Sequence, residues 1–160
     1  MTGLVQPFIS TVPGSLDSKG RVCIPAAYRQ ILAAQNTPGV YVCPSFIDPA
    51  LEAFGQTLLD ATASRLAAQD PFFSANFDDE ATALIARTQS LPPDEQGRVR
   101  LPDALIALAG LKDRIVFVGK VHKFQIWDAD HFAAIEAEAV ARVKARMERA
   151  RAAAAKGETP

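Results

Sequence analysis

The residues best suited to chemistry lie in a motif of eleven residues that the chain contains twice. Asp17-Ser-Lys-Gly-Arg-Val-Cys-Ile-Pro-Ala-Ala recurs as Asp94-Glu-Gln-Gly-Arg-Val-Arg-Leu-Pro-Asp-Ala, with an offset of 77 residues. Six of the eleven aligned positions are identical, and chance is a poor explanation for that many identities. The motif therefore indicates an internal repeat that spans about half the chain.

Each motif begins with an Asp-x-x-Gly-Arg turn that could bind an anion. The glycine can close a tight turn at positive φ, and the aspartate can accept backbone N–H bonds or pair with the arginine. The arginine then presents a planar fork of donors that suits a phosphate or a guanine edge. The residues expected to shape the turns are Asp17, Gly20, Asp94 and Gly97; the candidate DNA-binding residues are Lys19, Arg21 and Arg98.

The two turns differ in how well they suit phosphate. Lys19 adds a second cation to the first turn, whereas Glu95-Gln96 replaces Ser18-Lys19 in the second. Arg100 could compensate, but strand alternation leaves open which way it points. A purely structural role stays open, in which the aspartate and the arginine pair only to stabilise the turn. This alternative is stronger for Arg98 than for Arg21.

The sequence gives little support for a catalytic role of the same residues. Two aspartates related by a repeat could form a carboxylate dyad, yet each lies four residues from an arginine that would keep it ionised. The sequence shows no nucleophile–base set, no glycine-rich phosphate loop and no metal-ligand spacing. We therefore expect no catalytic residue, no metal site, no cofactor and no small-molecule substrate.

The order of elements around the motif also repeats. Each half is predicted to contain a strand, a turn, a strand, a short helix, a β-hairpin and a longer helix. The predicted short helices cover 25–32 and 102–109, the second closed by Gly110. Predicted strands cover 40–43, 115–118 and 123–127, and the longer helices begin near Asp48-Pro49 and near Asp128 or Asp130, the latter running to about residue 155.

These elements predict an α+β fold made of two repeats related by a pseudo-twofold axis. A half of about 77 residues has too small a core to fold alone, so the halves should pack together. The predicted divisions are a first repeat over 8–77, a helical linker over 78–90, a second repeat over 91–140, and a C-terminal helical extension with a frayed tail over 141–160.

Charge excludes some classes of protein. The chain has 17 Lys+Arg against 18 Asp+Glu, which argues against a highly basic nucleic-acid coat protein. The net charge is +2 over 1–35, −6 over 36–80, +1 over 81–135 and +2 over 136–160. No apolar run approaches a membrane span and the N-terminus shows no secretory signal, so we expect a cytoplasmic protein without a membrane partner.

Several other conspicuous residues have ordinary structural explanations. Cys23 and Cys43 are expected to be small core residues, and Trp127 is expected to pack in the core or a subunit interface. His122 should be exposed in the hairpin turn. The basic residues of the last helix are best explained as a solvated face; they are Arg142, Lys144, Arg146, Arg149 and Arg151.

Taken together, these motifs resemble the MraZ family of bacterial transcriptional regulators. Leu16 to Arg29 is similar to the family's first signature, and Asp94 to Pro102 is similar to the second. Gly110-Leu, Val118-Gly and Lys123-Phe-Gln-Ile-Trp match a further stretch, so that the resemblance covers about residues 8–140.

The resemblance implies a fold, an assembly and a function. The fold would be a tandem pair of AbrB-type swapped-hairpin units with a small β-barrel-like core and flanking helices. Protomers would form a ring, commonly of eight or more. The ring would bind direct repeats of a short G-rich box in double-stranded DNA, upstream of the division and cell-wall gene cluster and of its own gene, mainly as a nucleoid-associated repressor. Arg21 and Lys19 match the family's DNA-binding residues, and Arg98 takes the equivalent place in the second motif.

Two departures from the family pattern concern the first strand. Ile9 stands where many members have a basic residue, and Val12-Pro13-Gly14 is expected to interrupt the strand. Two other functions also stay open. One is an antitoxin-like module that docks a partner on the acidic segment from Asp48 to Glu80, and the other is a ring scaffold that does not bind DNA.

Overall fold

A computed structural model describes residues 6–157 of the chain. Residues 1–5, where no secretory signal is expected, and 158–160, the end of the tail expected to fray, lie outside this range. The chain divides into two compact units, the first ending at Asp128 and the second starting at Ala129. The second unit consists of one long helix that continues to Ala155.

The first half contains four strands and two helices before the connection to the second half. They are β1 (Thr11–Ser15), β2 (Arg21–Cys23), α1 (Ala26–Ala34), β3 (Val40–Pro44), β4 (Leu51–Phe54) and α2 (Gln56–Ala67). The connection is helical, with α3 (Ala75–Glu80) followed by a π-helical turn (Ala81–Ile85).

The second half repeats the order of the first. Its elements are β5 (Gln89–Leu91), β6 (Arg98–Arg100), α4 (Asp103–Ala109), β7 (Arg114–Gly119), β8 (Phe124–Asp128) and α5 (Ala129–Ala155). The predicted sequence of strand, turn, strand, short helix, hairpin and helix is thus confirmed in both halves. Proline precedes α1 and α4, and Gly110 ends α4 at φ 59°, where glycine carries no steric penalty.

The main sheet is antiparallel and has six strands in the order β1-β7-β8-β4-β3-β5. The first strand of each half pairs with the hairpin of the other half, β1 with β7 and β5 with β3. Equivalent strands meet at the centre, where Glu52 lies opposite Gln125. Exchanging the two halves therefore reproduces the same strand order in reverse, and this is the pseudo-twofold relation that the sequence repeat predicts.

The expectation of a barrel-like core is wrong in one respect. The sheet is open, with β1 and β5 at its edges, and the remaining strands β2 and β6 form a separate two-stranded ribbon. Each half contributes three short strands to the sheet, and these do not bring the edge strands β1 and β5 together. Each edge strand therefore has backbone groups on one side that pair with no other strand of the sheet. The structure is therefore mixed α+β with an open sheet.

Pro13 does not interrupt β1, contrary to expectation. The strand runs through Pro13, which lies opposite Val116. Hydrogen bonds join Gly119 N to Ser10 O at 2.8 Å and Leu16 N to Asp113 O at 2.9 Å, which leaves Pro13 at a position that makes no ladder bond. Because β1 is also an edge strand, the missing N–H of Pro13 faces away from the sheet and costs no hydrogen bond.

The expected helix start at Asp48-Pro49 is also wrong. Residues 45–50 form the loop of the β3–β4 hairpin, and the helix α2 begins eight residues later than Asp48, at Gln56. Leu51 and Ala53 are fully buried, and β4 pairs with both β3 and β8. Pairing on both sides within the sheet outweighs the helix signals of the local sequence.

The core of the first unit lies between the inner faces of the sheet, the ribbon and helices α1 and α4. It includes Val22 and Val99 of the ribbon and Tyr28, Leu32 and Leu105 of the helices. Each fully buried side chain of this size contributes about 1.5–3 kcal/mol to folding. The ribbon is therefore held to the core by one face, which leaves its other face outward.

Other residues of the first unit lie where packing requires. Trp127 and Cys43 are buried as expected, and burial raises the pKa of the Cys43 thiol, which suits an inert core residue. His122 is exposed in the β7–β8 turn, also as expected. Within residues 6–157, no helix combines the length and apolar character that a membrane crossing requires.

Candidate nucleic-acid interface

The first turn is fixed by the carboxylate of Asp17. Its Oδ1 accepts hydrogen bonds from the backbone N–H groups of Lys19 at 2.9 Å and Arg21 at 2.8 Å. Its Oδ2 accepts a bond from Arg21 Nε at 2.7 Å. Gly20 closes the turn at φ 79° and donates its N–H to Asp17 O at 3.0 Å. The aspartate thus shapes the backbone and orients the arginine together.

The second turn repeats this hydrogen-bond pattern. Asp94 Oδ1 accepts from the N–H groups of Gln96 and Arg98, each at 2.9 Å, and Oδ2 accepts from Arg98 Nε at 2.9 Å. Gly97 adopts φ 77°. Both alternatives raised for the aspartate, backbone capping and pairing with arginine, therefore occur together in both copies.

Both aspartates are held ionised, which argues against a shared proton between them. The pKa of Asp17 is lowered chiefly by the hydrogen bond from the backbone N–H of Arg21; desolvation partly opposes this effect, and hydrogen bonds from the Arg21 side chain and the Lys19 N–H lower the pKa further. The pKa of Asp94 is lowered in the same way by Arg98. A carboxylate dyad requires one raised pKa, so the geometry does not favour the catalytic alternative.

The two arginines differ in how many donors they leave for a ligand. Arg21 uses only Nε in the bond to Asp17, so its two terminal nitrogens are available. Arg98 also donates from Nη2 to Gln96 Oε1 at 3.0 Å. A bidentate contact to a planar acceptor such as a guanine edge uses two guanidinium donors at once, so the geometry of Arg21 suits such a contact better than that of Arg98.

The ribbon collects basic residues of both repeats on one face. Val22 and Val99 lie opposite each other and are buried, whereas their neighbours on both strands point outward. Arg21 lies opposite Arg100, and Cys23 lies opposite Arg98. Cross-strand partners share a face, so three arginines lie on the outer side of the ribbon.

Two placements on this face differ from the sequence expectation or were left open by it. Cys23 was expected in the core, but it is exposed, because the strand has only one buried position, Val22. Arg100 is exposed beside Arg21 rather than turned elsewhere. The alternation of side chains around the central valine of each strand could have predicted the exposure of Cys23 and Arg100. Their partners across the ribbon could not be predicted, because the register of the two strands was not known.

The turns rest on different supports. A Cβ added to Gly20 would lie 3.3 Å from the Cδ1 atom of Ile106, whereas one added to Gly97 would lie 2.9 Å from Arg29 Nη1. The second turn thus has Arg29 as a basic neighbour, but it also carries Glu95. The first turn combines Lys19 and Arg21 with an apolar support, and its only acidic residue is Asp17.

A second feature, an apolar cavity, lies away from the ribbon. It has a volume of about 240 Å³ and lies among β3, β4, α2 and the π-helical turn, with Phe54, Leu58 and Leu84 in its lining. Lys123 Nζ and Glu52 Oε2 are 3.0 Å apart at this cavity. Sequence reasoning did not find it, because β4 was not predicted there.

Comparison with known proteins agrees with the repeat. Residues 84–154 match the family model described as "MraZ protein, putative antitoxin-like". The chain is 40% identical over 137 residues to the transcriptional regulator MraZ of Xanthobacter autotrophicus, covering 86% of this chain and 87% of the relative. It is 42% identical, with the same coverage, to the transcriptional regulator MraZ of Azorhizobium caulinodans.

A third relative extends the match slightly. The transcriptional regulator MraZ of Parvibaculum lavamentivorans is 39% identical over 144 residues, which cover 87% of this chain and 86% of the relative. All three alignments run through most of both sequences and are not confined to one half. On this identity and coverage, the chain belongs to the MraZ family.

Proposed function

We propose that this protein is a sequence-specific DNA-binding transcriptional regulator that reads DNA with the turn of its first repeat. The observation that carries the proposal is the hydrogen-bond set of that turn, in which Asp17 fixes Nε of Arg21 and leaves two donors outward. Arg21 would read guanine in the major groove, and Lys19, which is exposed beside it, would bind the backbone phosphates.

The proposed target follows from the family. The protein would bind direct repeats of a short G-rich box upstream of the division and cell-wall gene cluster, which includes its own gene, and act mainly as a repressor. It would work in the cytoplasm, at the nucleoid. The AbrB-type swapped-hairpin assignment belongs to the same proposal and is supported by the exchange of β1 and β5 between the halves.

A single turn with two cations binds DNA weakly, because each neutralised phosphate contributes a modest and salt-sensitive term. We therefore propose a ring of eight or more protomers, in which several first turns meet successive boxes. The described residues include apolar side chains that a ring contact could cover. Those with the largest exposed fractions are Phe73 at 92%, Ile47 at 90% and Phe72 at 86%.

The test of this proposal is binding to the DNA upstream of the protein's own gene. Arg21→Ala should abolish the preference for that DNA over a scrambled sequence, because Arg21 keeps both terminal guanidinium nitrogens unbonded in its turn, whereas Arg98 in the equivalent turn does not. The subunit number in native mass spectrometry should not change, since Arg21 lies on the outward face. Fluorescence anisotropy with both DNAs measures the preference, and an unchanged preference would overturn the role of Arg21.

Arg98→Ala serves as the matched variant from the second repeat. Its loss of affinity should be smaller than that of Arg21→Ala, because Gln96 already occupies one of its terminal nitrogens. If both variants lose affinity equally, both turns contact DNA.

An antitoxin-like function is a second candidate, favoured by the wording of the family description. The exposed Ile47 and the apolar cavity beside it would then take a small protein partner. Purification of the protein after expression from its native locus distinguishes the two. A stoichiometric partner that displaces DNA favours the antitoxin-like function, and homo-oligomers that bind DNA favour the regulator.

A further inference from the structure

The outward face of the ribbon brings together two residues that are far apart in sequence. Arg21 belongs to the first repeat and Arg100 to the second, yet they lie directly opposite each other in the β2–β6 pairing. Because β2 and β6 are antiparallel, the end of β6 lies beside the first turn and not beside its own. Each end of the ribbon is therefore built from both repeats.

The charges at this end are not balanced within the protein. Arg21 is paired with Asp17, whereas the side chain of Arg100 is exposed and forms no hydrogen bond or ion pair with any of residues 6–157. Like charges placed directly opposite across two strands are unfavourable. Because Asp17 pairs with Arg21 only, this surface keeps an excess of positive charge, which suits a ligand with several negative charges such as the phosphates of DNA.

The other end of the ribbon lacks this arrangement. The repeat places Cys23 at the position equivalent to Arg100, and Cys23 lies opposite Arg98. That end also carries Glu95, and Arg98 is engaged by Asp94 and Gln96. The two ends are about 7 Å apart along the ribbon. The first end has Lys19, Arg21 and Arg100 against Asp17, whereas the second end has Arg98 and the neighbouring Arg29 against Asp94 and Glu95, so the first end is the more basic.

We propose that Arg100 binds a DNA phosphate and completes the interface of the first turn. Lys19 and Arg21 come from one repeat and Arg100 from the other, so the second repeat contributes to DNA binding without using its own turn. This inference rests on the proposed function of the ribbon as a DNA-binding surface. Arg100 acts on affinity, whereas Arg21 acts on sequence preference.

The experiment measures the salt dependence of binding for Arg100→Gln. Removal of one phosphate contact should weaken binding to promoter and scrambled DNA by the same factor. It should also reduce the slope of log K against log salt by about 0.9. Arg100→Lys, which keeps the charge, should restore the slope. Cys23→Ser, on the same face at the equivalent position, should match the wild type. Circular dichroism checks that each variant is folded.

The outcomes separate this inference from the proposed function. If Arg100→Gln binds with the affinity and slope of the wild type, Arg100 does not contact phosphate and the inference is wrong. If it loses the preference for promoter DNA as Arg21→Ala does, Arg100 reads a base, which also overturns the inference. If the wild type itself shows no preference, the proposed function fails, while the slope of Arg100→Gln still decides whether Arg100 contacts DNA.

Discussion

Asp17 shows how an acidic residue can support a surface that we propose binds DNA. Its carboxylate satisfies two backbone N–H groups of the turn and holds Nε of Arg21, so one side chain fixes both the loop and the reader. Without the carboxylate of Asp17, the Arg21 side chain would be mobile in the free protein and would have to become ordered on binding DNA. The entropy lost in that step would weaken the complex. The motif therefore pairs each arginine with an aspartate to preorganise it.

The same hydrogen bonds predict how stability depends on pH. The folded chain lowers the pKa of Asp17 below its ordinary value of 3.8, so the ionised turn stabilises the fold above that value. This contribution is lost as the pH falls from 3.8 through the lower pKa of the folded state. We expect Asp17→Asn to be less stable than the wild type at pH 7, with the difference shrinking over the acidic range.

Urea unfolding at a series of pH values measures this difference. Asp79→Asn is the control, because the side chain of Asp79 is exposed and forms no hydrogen bond or ion pair with residues 6–157. A gap between wild type and Asp17→Asn that stays constant down to strongly acidic pH would contradict the electrostatic account of the turn.

At the scale of elements, the second half was more predictable than the first. The runs 115–118 and 123–127 are rich in β-formers and are separated by a short turn, and they form the hairpin β7–β8. In the first half, Leu-Glu-Ala-Phe at 51–54 suits a helix as well as a strand, and Asp48-Pro49 before it resembles a helix start. Its strand state comes from pairing with β8, a segment more than 70 residues later.

The candidate site shows the same division between local and distant information. The turn chemistry of Asp17 and Gly20 is local, so the repeated motif was sufficient to predict it. The position of Arg100 beside Arg21 depends on the register of two strands from different halves, and no local pattern encodes that register. The exposure of Cys23 depends on the same pairing.

Pairing between the halves also makes the sheet edge sensitive at one glycine. A Cβ on Gly39, just before β3, would overlap the carbonyl group of Leu91 in β5. Backbone atoms cannot turn aside as a side chain can, so Gly39→Ala should displace β5 from the edge. We expect a destabilisation of about 1–3 kcal/mol, the usual range for overpacking.

Urea unfolding and hydrogen exchange of the β5 amides measure this effect. Pro38→Ala, an exposed neighbour, should change stability by at most about 1 kcal/mol through the unfolded state. Wild-type stability and β5 protection in Gly39→Ala would show that β5 does not pair closely with β3.

At the scale of the whole molecule, the near-neutral charge is compatible with DNA binding because the charge is unevenly placed. The segment 36–80 carries −6, whereas the first 35 residues carry +2. Charge alone would therefore give weak and unselective binding. In the proposed ring, the same few cations would be presented many times, and the number of boxes engaged would set the affinity.

The dependence of affinity on the number of boxes can be tested with a variant that impairs assembly but keeps the residues proposed to contact DNA. Ile47→Glu/Phe73→Glu places charges at two highly exposed apolar positions, so it should reduce the subunit number in native mass spectrometry without unfolding the chain. Its affinity for a single box should stay near that of the wild type. Its affinity for DNA with several boxes should fall by at least about 100-fold, because linked contacts multiply weak ones.

Arg21→Ala is the reciprocal variant, since it should keep the wild-type mass and lose the preference for box DNA over scrambled DNA, whether that DNA has one box or several. A double variant that keeps the wild-type mass would move the ring contact away from these two residues. A monomeric variant that still binds several boxes as tightly as the wild type would show that one protomer is sufficient. In that case the basic end formed by Lys19, Arg21 and Arg100 would have to supply the full affinity by itself.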